Sequence, residues 1–254
     1  MKNFSNKITL IKNNRGVYDL DTSKGCFHGV KNNTNGCYGD CYALRNLKQY
    51  GFDFSKSIDR KFDNIEDLIL IRTQILNIDM PFIRIGVSGD PSHNWENLIN
   101  VISLIYELGK KIVIITKHWE ELSKSQLVKL SKYNVFINTS ISALDSSELI
   151  NNRLKQYNLL KDYCNSILRI ISCDFNKRNL TGLYLNSIQE LLFKNKNTID
   201  TVLRISKNNI LIKSRIINIE RIKFLGSYCY ASVHNKNTYL DYCDKCDELC
   251  GINF

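Results

Sequence analysis

The stretch that decides the fold is Phe82-Ile83-Arg84-Ile85-Gly86-Val87, an apolar run followed by Trp95, Leu98, Ile99, Ile102, Ile105 and Leu108. The run is short and nearly continuous, as a strand covered on both faces requires, and the residues after it recur along one helical face that Gly109 closes. The same strand-then-helix unit recurs. Residues 112–115 precede Leu122, Leu127 and Leu130; residues 135–141 precede Leu149, Ile150, Leu154 and Leu160; residues 167–172 precede a helix around 183–193; and 201–205 reads as one more strand. Asp145 and Glu148 stand at capping-box spacing before the third of these helices. Upstream come a strand near 17–20, a cysteine-bearing loop, a helix from Tyr42, and an amphipathic stretch with Ile65, Leu68, Ile69, Arg72 and Ile75.

Six such units predict an α/β fold in which helices cover a parallel sheet. An eight-unit barrel takes roughly 250 residues for its units alone, and the chain has 254. The expected architecture is therefore a partial (β/α)6 TIM-like barrel over residues 1–205 with a short cysteine-rich C-terminal appendage over 206–254. With 2 prolines and no Gly/Ser-rich linker, no sharp domain boundary is visible.

At 43% hydrophobic and 24% charged, the composition is that of a globular chain and excludes a disordered one. No stretch approaches the roughly 20 apolar residues of a membrane span, and residues 1–7 lack a signal-peptide core. A soluble cytoplasmic protein with no membrane contact is expected. The formal net charge of +10 favours an anionic partner, nucleic acid included. An excess of Asn, Ile and Lys produces the same charge from composition alone, and the basic residues are spread along the chain, so both readings stand.

The chain has 9 cysteines, which in a reducing compartment point to metal before disulfides. Cys164 and Cys173 lie in apolar surroundings and read as small core residues. The others fall into two sets. Cys26, Cys37 and Cys41 share the loop after the first strand, where α/β folds gather functional groups. Three thiolates can hold three irons of a [4Fe–4S] cube and leave the fourth open, an unfinished shell of the catalytic kind. A zinc completed by His28 is the alternative, although the paired C-x2-C spacing of structural zinc is absent from this loop. Cys229, Cys243, Cys246 and Cys250 supply four thiolates, a closed shell suited to a second [4Fe–4S] cluster or to zinc.

The polar strand ends carry a resemblance. Gly25-Cys26, Gly36-Cys37 and Cys41-Tyr42-Ala43, with Ser88-Gly89-Asp90-Pro91 and Thr116-Lys117, resemble the radical S-adenosylmethionine superfamily over about residues 17–205. The likeness is to its phage-type three-cysteine members and to relatives of spore photoproduct lyase. The spacing departs from the common C-x3-C-x2-C, since this chain has C-x10-C-x3-C. The resemblance implies an enzyme that binds a [4Fe–4S] cluster and S-adenosylmethionine, takes an electron from a donor, and cleaves the sulfonium to methionine and a hydrogen-abstracting 5′-deoxyadenosyl radical. It places the methionyl ammonium at Ser88-Gly89-Asp90, with Asp90 or a backbone carbonyl as acceptor. The carboxylate falls to Lys117, with Arg153 as a second candidate. Ser140 or Ser142 takes the ribose, and Tyr42 shields the cluster or packs on adenine.

Each residue also has a plainer reading: Asp90 as a helix-start turn residue, Lys117 as a solvated strand end, Arg153 as a helix-surface residue, Tyr42 as core. The implied substrate is nucleic acid or nucleotide-derived. A peptide is the competing class, and a non-enzymatic zinc-bearing nucleic-acid-binding protein is the competing function. A phosphate-binding Gly-rich loop and a nucleophile elbow are both missing.

Overall fold

The computed structural model describes residues 6–31, 36–206, 208–218, 223–225, 228–230, 234 and 245–253. The first half of the chain forms β1 (Leu10–Lys12), β2 (Tyr18–Leu20), β3 (Ser23–Lys24), α1 (Phe27–Val30), α2 (Tyr42–Gln49), β4 (Ile58–Asp59), α3 (Ile65–Leu76), β5 (Phe82–Ile85), α4 (Trp95–Ser103) and β6 (Lys111–Thr116). There follow α5 (Lys124–Leu130), β7 (Val135–Ile141), α6 (Ser147–Leu160), β8 (Asn165–Ser172), α7 (Leu180–Phe193), β9 (Thr198–Val202), β10 (Arg204–Ile205), α8 (Ile210–Lys213), β11 (Lys223–Leu225) and β12 (Tyr228–Tyr230).

The main sheet has seven strands in the order β1-β2-β5-β6-β7-β8-β9. The strands from β2 to β9 pair in parallel and in chain order, whereas β1 runs antiparallel along the edge. The sheet is open, with β1 and β9 as its edges. Every residue of β5 and of β7 is buried, so apolar side chains predominate in both, with Arg84, Asn138, Thr139 and Ser140 as the buried polar residues among them.

Strand alternation divides the core in two. Ile83, Ile85, Ile112, Ile114, Val135 and Ile137 pack with Ile71, Ile75, Leu98, Ile102, Leu127 and Leu130 from α3, α4 and α5. The opposite face presents Phe82, Val113 and Phe136, which meet Val17, Met80, Cys250 and Ile252. The segment after residue 205 thus contributes to the core. Asn138 Nδ2 donates to the Cys250 carbonyl at 3.0 Å, and Gly251, at φ +89, lies so close to Ile167 that a Cβ there would sit 2.8 Å from its Cγ1.

Three elements differ from the sequence reading. The strand expected to reach Val87 stops at Ile85, because Gly86 turns at φ +101 and the Asp21 carboxylate collects the next three N–H groups. Residues 201–205 split: β9 ends the main sheet, and β10 leaves it to pair antiparallel with β12. The cap of α6 is Ser146, whose side chain accepts from Leu149 N, and Asp145 turns inward instead. Cys173 is buried, and Cys164 packs at the margin of the main core.

Candidate functional site

The cysteine loop leaves β2 at the C-terminal end of the parallel sheet and is fastened to the neighbouring strand end. Gly25 N donates to the Ser88 carbonyl at 3.0 Å, and Gly25 and Gly89 form a parallel bridge. Gly89 must be glycine because a Cβ would lie 2.7 Å from the Gly25 carbonyl oxygen. Below the bridge, Asp21 accepts from Gly86 N at 2.9 Å and from Val87 N and Ser88 N at 2.8 Å each. A carboxylate in this cradle fixes the Ser88-Gly89-Asp90 turn through charge-assisted bonds.

Cys26, Cys37 and Cys41 are brought together. Cys26 caps α1 and its Sγ accepts from Gly29 N at 3.3 Å, while Cys41 caps α2. A Cβ on Gly29 would be 3.3 Å from Cys26 Sγ and 3.9 Å from Cys37 Sγ, and one on Gly36 would overlap Cys41 Cβ. Gly29 thus leaves room beside the Cys26 and Cys37 thiols, and Gly36 lets the loop close on Cys41. Helix N-termini favour thiolates, but burial outweighs them: it pushes Cys26 up to about 12, with Asp90 and Cys37 adding to the effect, and it raises Cys41. Burial thus favours the protonated thiol at Cys26 and Cys41, and a bound cation would reverse that preference. Among the described residues no group of three or more His, Cys, Asp or Glu side chains is arranged to hold a metal ion. His28 turns away, its ring stacked on Trp119 at 5.3 Å and its Nε2 3.4 Å from Glu120 Oε1.

The Cys37–Cys41 turn is clamped from the far side. Asp40 Oδ2 accepts from Ser206 N, Ser206 Oγ and Asn209 Nδ2, and Arg45 Nη2 reaches Oδ1 at 2.9 Å. Tyr38, in left-handed backbone at φ 61, donates its hydroxyl to Asp145 at 3.0 and 3.1 Å and accepts from Lys117 Nζ at 2.6 Å. Burial, then Asp145, hold its phenol far above the usual range, so it remains an O–H donor. Asp145 also accepts from Ser142 N and pairs with Arg153. Burial alone would raise the Asp145 pKa, yet Lys117 and Arg153 together hold it below the ordinary carboxylate value.

The sequence-predicted residues take distinct places. Asp90 accepts from Ser92 N, Ser92 Oγ and Thr116 Oγ1 through Oδ1 and from Lys117 N through Oδ2, so Oδ1 is saturated with protein donors while Oδ2 carries one and keeps a second acceptor position. Ser88 gives its N–H to Asp21 and its hydroxyl to the Ser23 carbonyl. Tyr42 donates to the Val87 carbonyl at 2.6 Å, bringing its ring beside the same turn. Ser142 is buried, and its hydroxyl donates to the Ile171 carbonyl. Ser140 lies in register with Arg169 on the sheet face opposite the covering helices and makes no hydrogen bond to a described side chain. Arg153, expected on a helix surface in its plainer reading, is wholly buried, with Nε on the Lys117 carbonyl and its guanidinium over the Trp119 ring.

In the C-terminal set, Cys250 is buried 3.9 Å from Arg169 Nη1 and Cys246 is partly buried. The Cys229 side chain and all of Cys243 lie outside the described residues.

Asp21, Tyr38 and His118 escaped the sequence reading. Asp21 was findable as an acid directly after a strand. Tyr38 and His118 acquire their roles only through contacts with another loop and strand.

Comparison with protein-family models, curated proteins and solved structures gave no match. No helix among the described residues is long and apolar enough to cross a membrane.

Proposed function

We propose that the chain is a radical S-adenosylmethionine enzyme built on a partial (β/α)6 barrel, with Cys26, Cys37 and Cys41 as ligands of a [4Fe–4S] cluster. The observation that carries this reading is the placement of Cys26, Cys37 and Cys41 on one loop that is bridged through Gly25 to Gly89 of the Ser88-Gly89-Asp90 turn, at the C-terminal end of a sheet wound in chain order. A cube would give each of the three thiolates its own iron and leave the fourth iron open. The bound cluster and S-adenosylmethionine would supply a 5′-deoxyadenosyl radical for hydrogen abstraction.

The protein's part is position and electrostatics. Backbone carbonyls of the turn take the methionyl ammonium, while Asp90 holds the turn to β6 through Thr116 and Lys117 N. Lys117 and Arg153 both address one carboxylate, Asp145, with Arg153 in the direct pair, which leaves the Lys117 ammonium to meet the methionyl carboxylate. Ser140 serves the ribose and Tyr42 borders the adenine. Arg169, on the face that carries Ser140, and the net charge of +10 support a nucleic acid or nucleotide-derived substrate. The C-terminal cysteines hold a second centre, iron–sulfur or zinc.

The test is anaerobic reconstitution of wild type and of the triple Cys26→Ala, Cys37→Ala, Cys41→Ala variant. Brown wild type that loses one cluster in the variant supports the assignment. Unchanged iron and sulfide, or a colourless zinc protein, rejects it. Deuterium transfer into 5′-deoxyadenosine from labelled nucleic acid or nucleotide is the substrate test, and label arriving only from a peptide overturns that choice.

A further inference from the structure

Tyr38 occupies a backbone conformation that suits glycine, φ 61 and ψ 19, in the middle of the cysteine loop. A bulky side chain there is an outlier that asks for a reason. The reason visible in the fold is at the far end of the ring. Its hydroxyl stands between Lys117 Nζ and Asp145, and the Lys117 ammonium lies over the ring at 4.4 Å from its centroid. Lys117 Nζ and Asp145 Oδ1 are 4.0 Å apart, beyond a direct hydrogen bond. Both Lys117 and Arg153 address Asp145, with Arg153 in the direct pair, and the Asp90 carboxylate takes the Lys117 backbone N–H. Side-chain exposure is 13% for Lys117, 5% for Asp145 and 1% for Arg153, so of the three Lys117 is the one most open to solvent.

We propose that Tyr38 is a positioning residue whose hydroxyl holds the Lys117 ammonium off Asp145 and keeps it directed at a ligand carboxylate. The phenol donates to the anion and offers its lone pairs to the cation, so it relays the pairing without allowing contact. Without the hydroxyl, Lys117 closes onto Asp145 and its charge is spent inside the protein. The same side chain anchors the turn between Cys37 and Cys41, which ties the carboxylate site to the cysteine loop. This inference rests on the cofactor reading above only for the identity of the ligand.

The experiment has two arms. In the first, affinities of cluster-loaded protein for S-adenosylmethionine and for its decarboxylated analogue are measured anaerobically. Tyr38→Phe is expected to lose about tenfold for the first ligand, the scale of one charge-assisted hydrogen bond, and to stay within about twofold for the second. Equal losses for both ligands, or none, overturn the proposal. The second arm uses cofactor-free protein, with amine labelling of Lys117 followed by mass spectrometry. Tyr38→Phe should protect Lys117 severalfold, and unchanged labelling overturns the proposal. Tyr38→Asn, a residue type that tolerates left-handed backbone, is the second variant and should behave alike. Wild type that binds neither ligand rejects the cofactor reading, while the labelling arm still decides whether Tyr38 restrains Lys117.

Discussion

Acid should weaken the fold through His118 before it titrates most carboxylates. His118 is 5% exposed, follows Lys117 on the loop after β6, and places Nε2 3.0 Å from Thr139 Oγ1, while Nδ1 is buried without a partner among the described residues. Burial lowers its pKa to about 4, with Arg153 opposing a further charge and Asp90 only partly compensating. The unfolded chain titrates near the ordinary value of about 6.5. Between these values the unfolded state binds the extra proton, so the contribution is complete above about pH 6.5 and is lost as pH falls toward 4. From pH 7 to pH 5 the loss is about 2 kcal/mol, with about 3 kcal/mol as the full span. Urea unfolding of wild type and His118→Gln at intervals between pH 7 and 5 isolates the effect, since other groups titrate in both. Wild type should lose about 2 kcal/mol more than the variant. Parallel stability curves would refute the buried neutral imidazole.

Three further outcomes are expected. Gly36→Ala, at φ +92 and with no room beside Cys41, should open the cysteine loop, and the three thiols should react severalfold faster with a disulfide reagent in cofactor-free protein. Arg84→Met strands the buried Asp19 carboxylate that Arg84 Nε meets at 2.8 Å; a cost of about 3 kcal/mol in urea unfolding, largely recovered by adding Asp19→Asn, is the signature of a broken buried pair. Ile252→Ala should cost about 2–4 kcal/mol by the same measurement, because Ile252 packs with Phe82, Val113 and Phe136, and a loss below about 1 kcal/mol would contradict that packing.

What the sequence determined by itself was periodic. Parallel strands buried on both faces are predominantly apolar, and the helices that cover them repeat their apolar residues every three to four positions. Both signals are local, so the strand and helix succession from Phe82 to Phe193 was legible, as was the concentration of Cys26, Cys37 and Cys41 on one strand-end loop. Tertiary structure decided the rest, because charge and hydrogen-bond partnership are properties of neighbours in space. Asp145 sits at capping-box spacing, yet the approach of Tyr38 and Arg153 draws it into the interior and leaves the cap to Ser146. Arg153 has the sequence context of a helix surface but is enclosed by Asp145 and Trp119. Asp90 looks wholly available in sequence, and Ser92 and Thr116 fill its Oδ1 while Lys117 N takes one position of Oδ2 once β5 and β6 lie side by side. The C-terminal residues reach the sheet through Cys250 and Ile252, a contact set by shape against Phe82 and Phe136 that leaves no periodic trace in the chain.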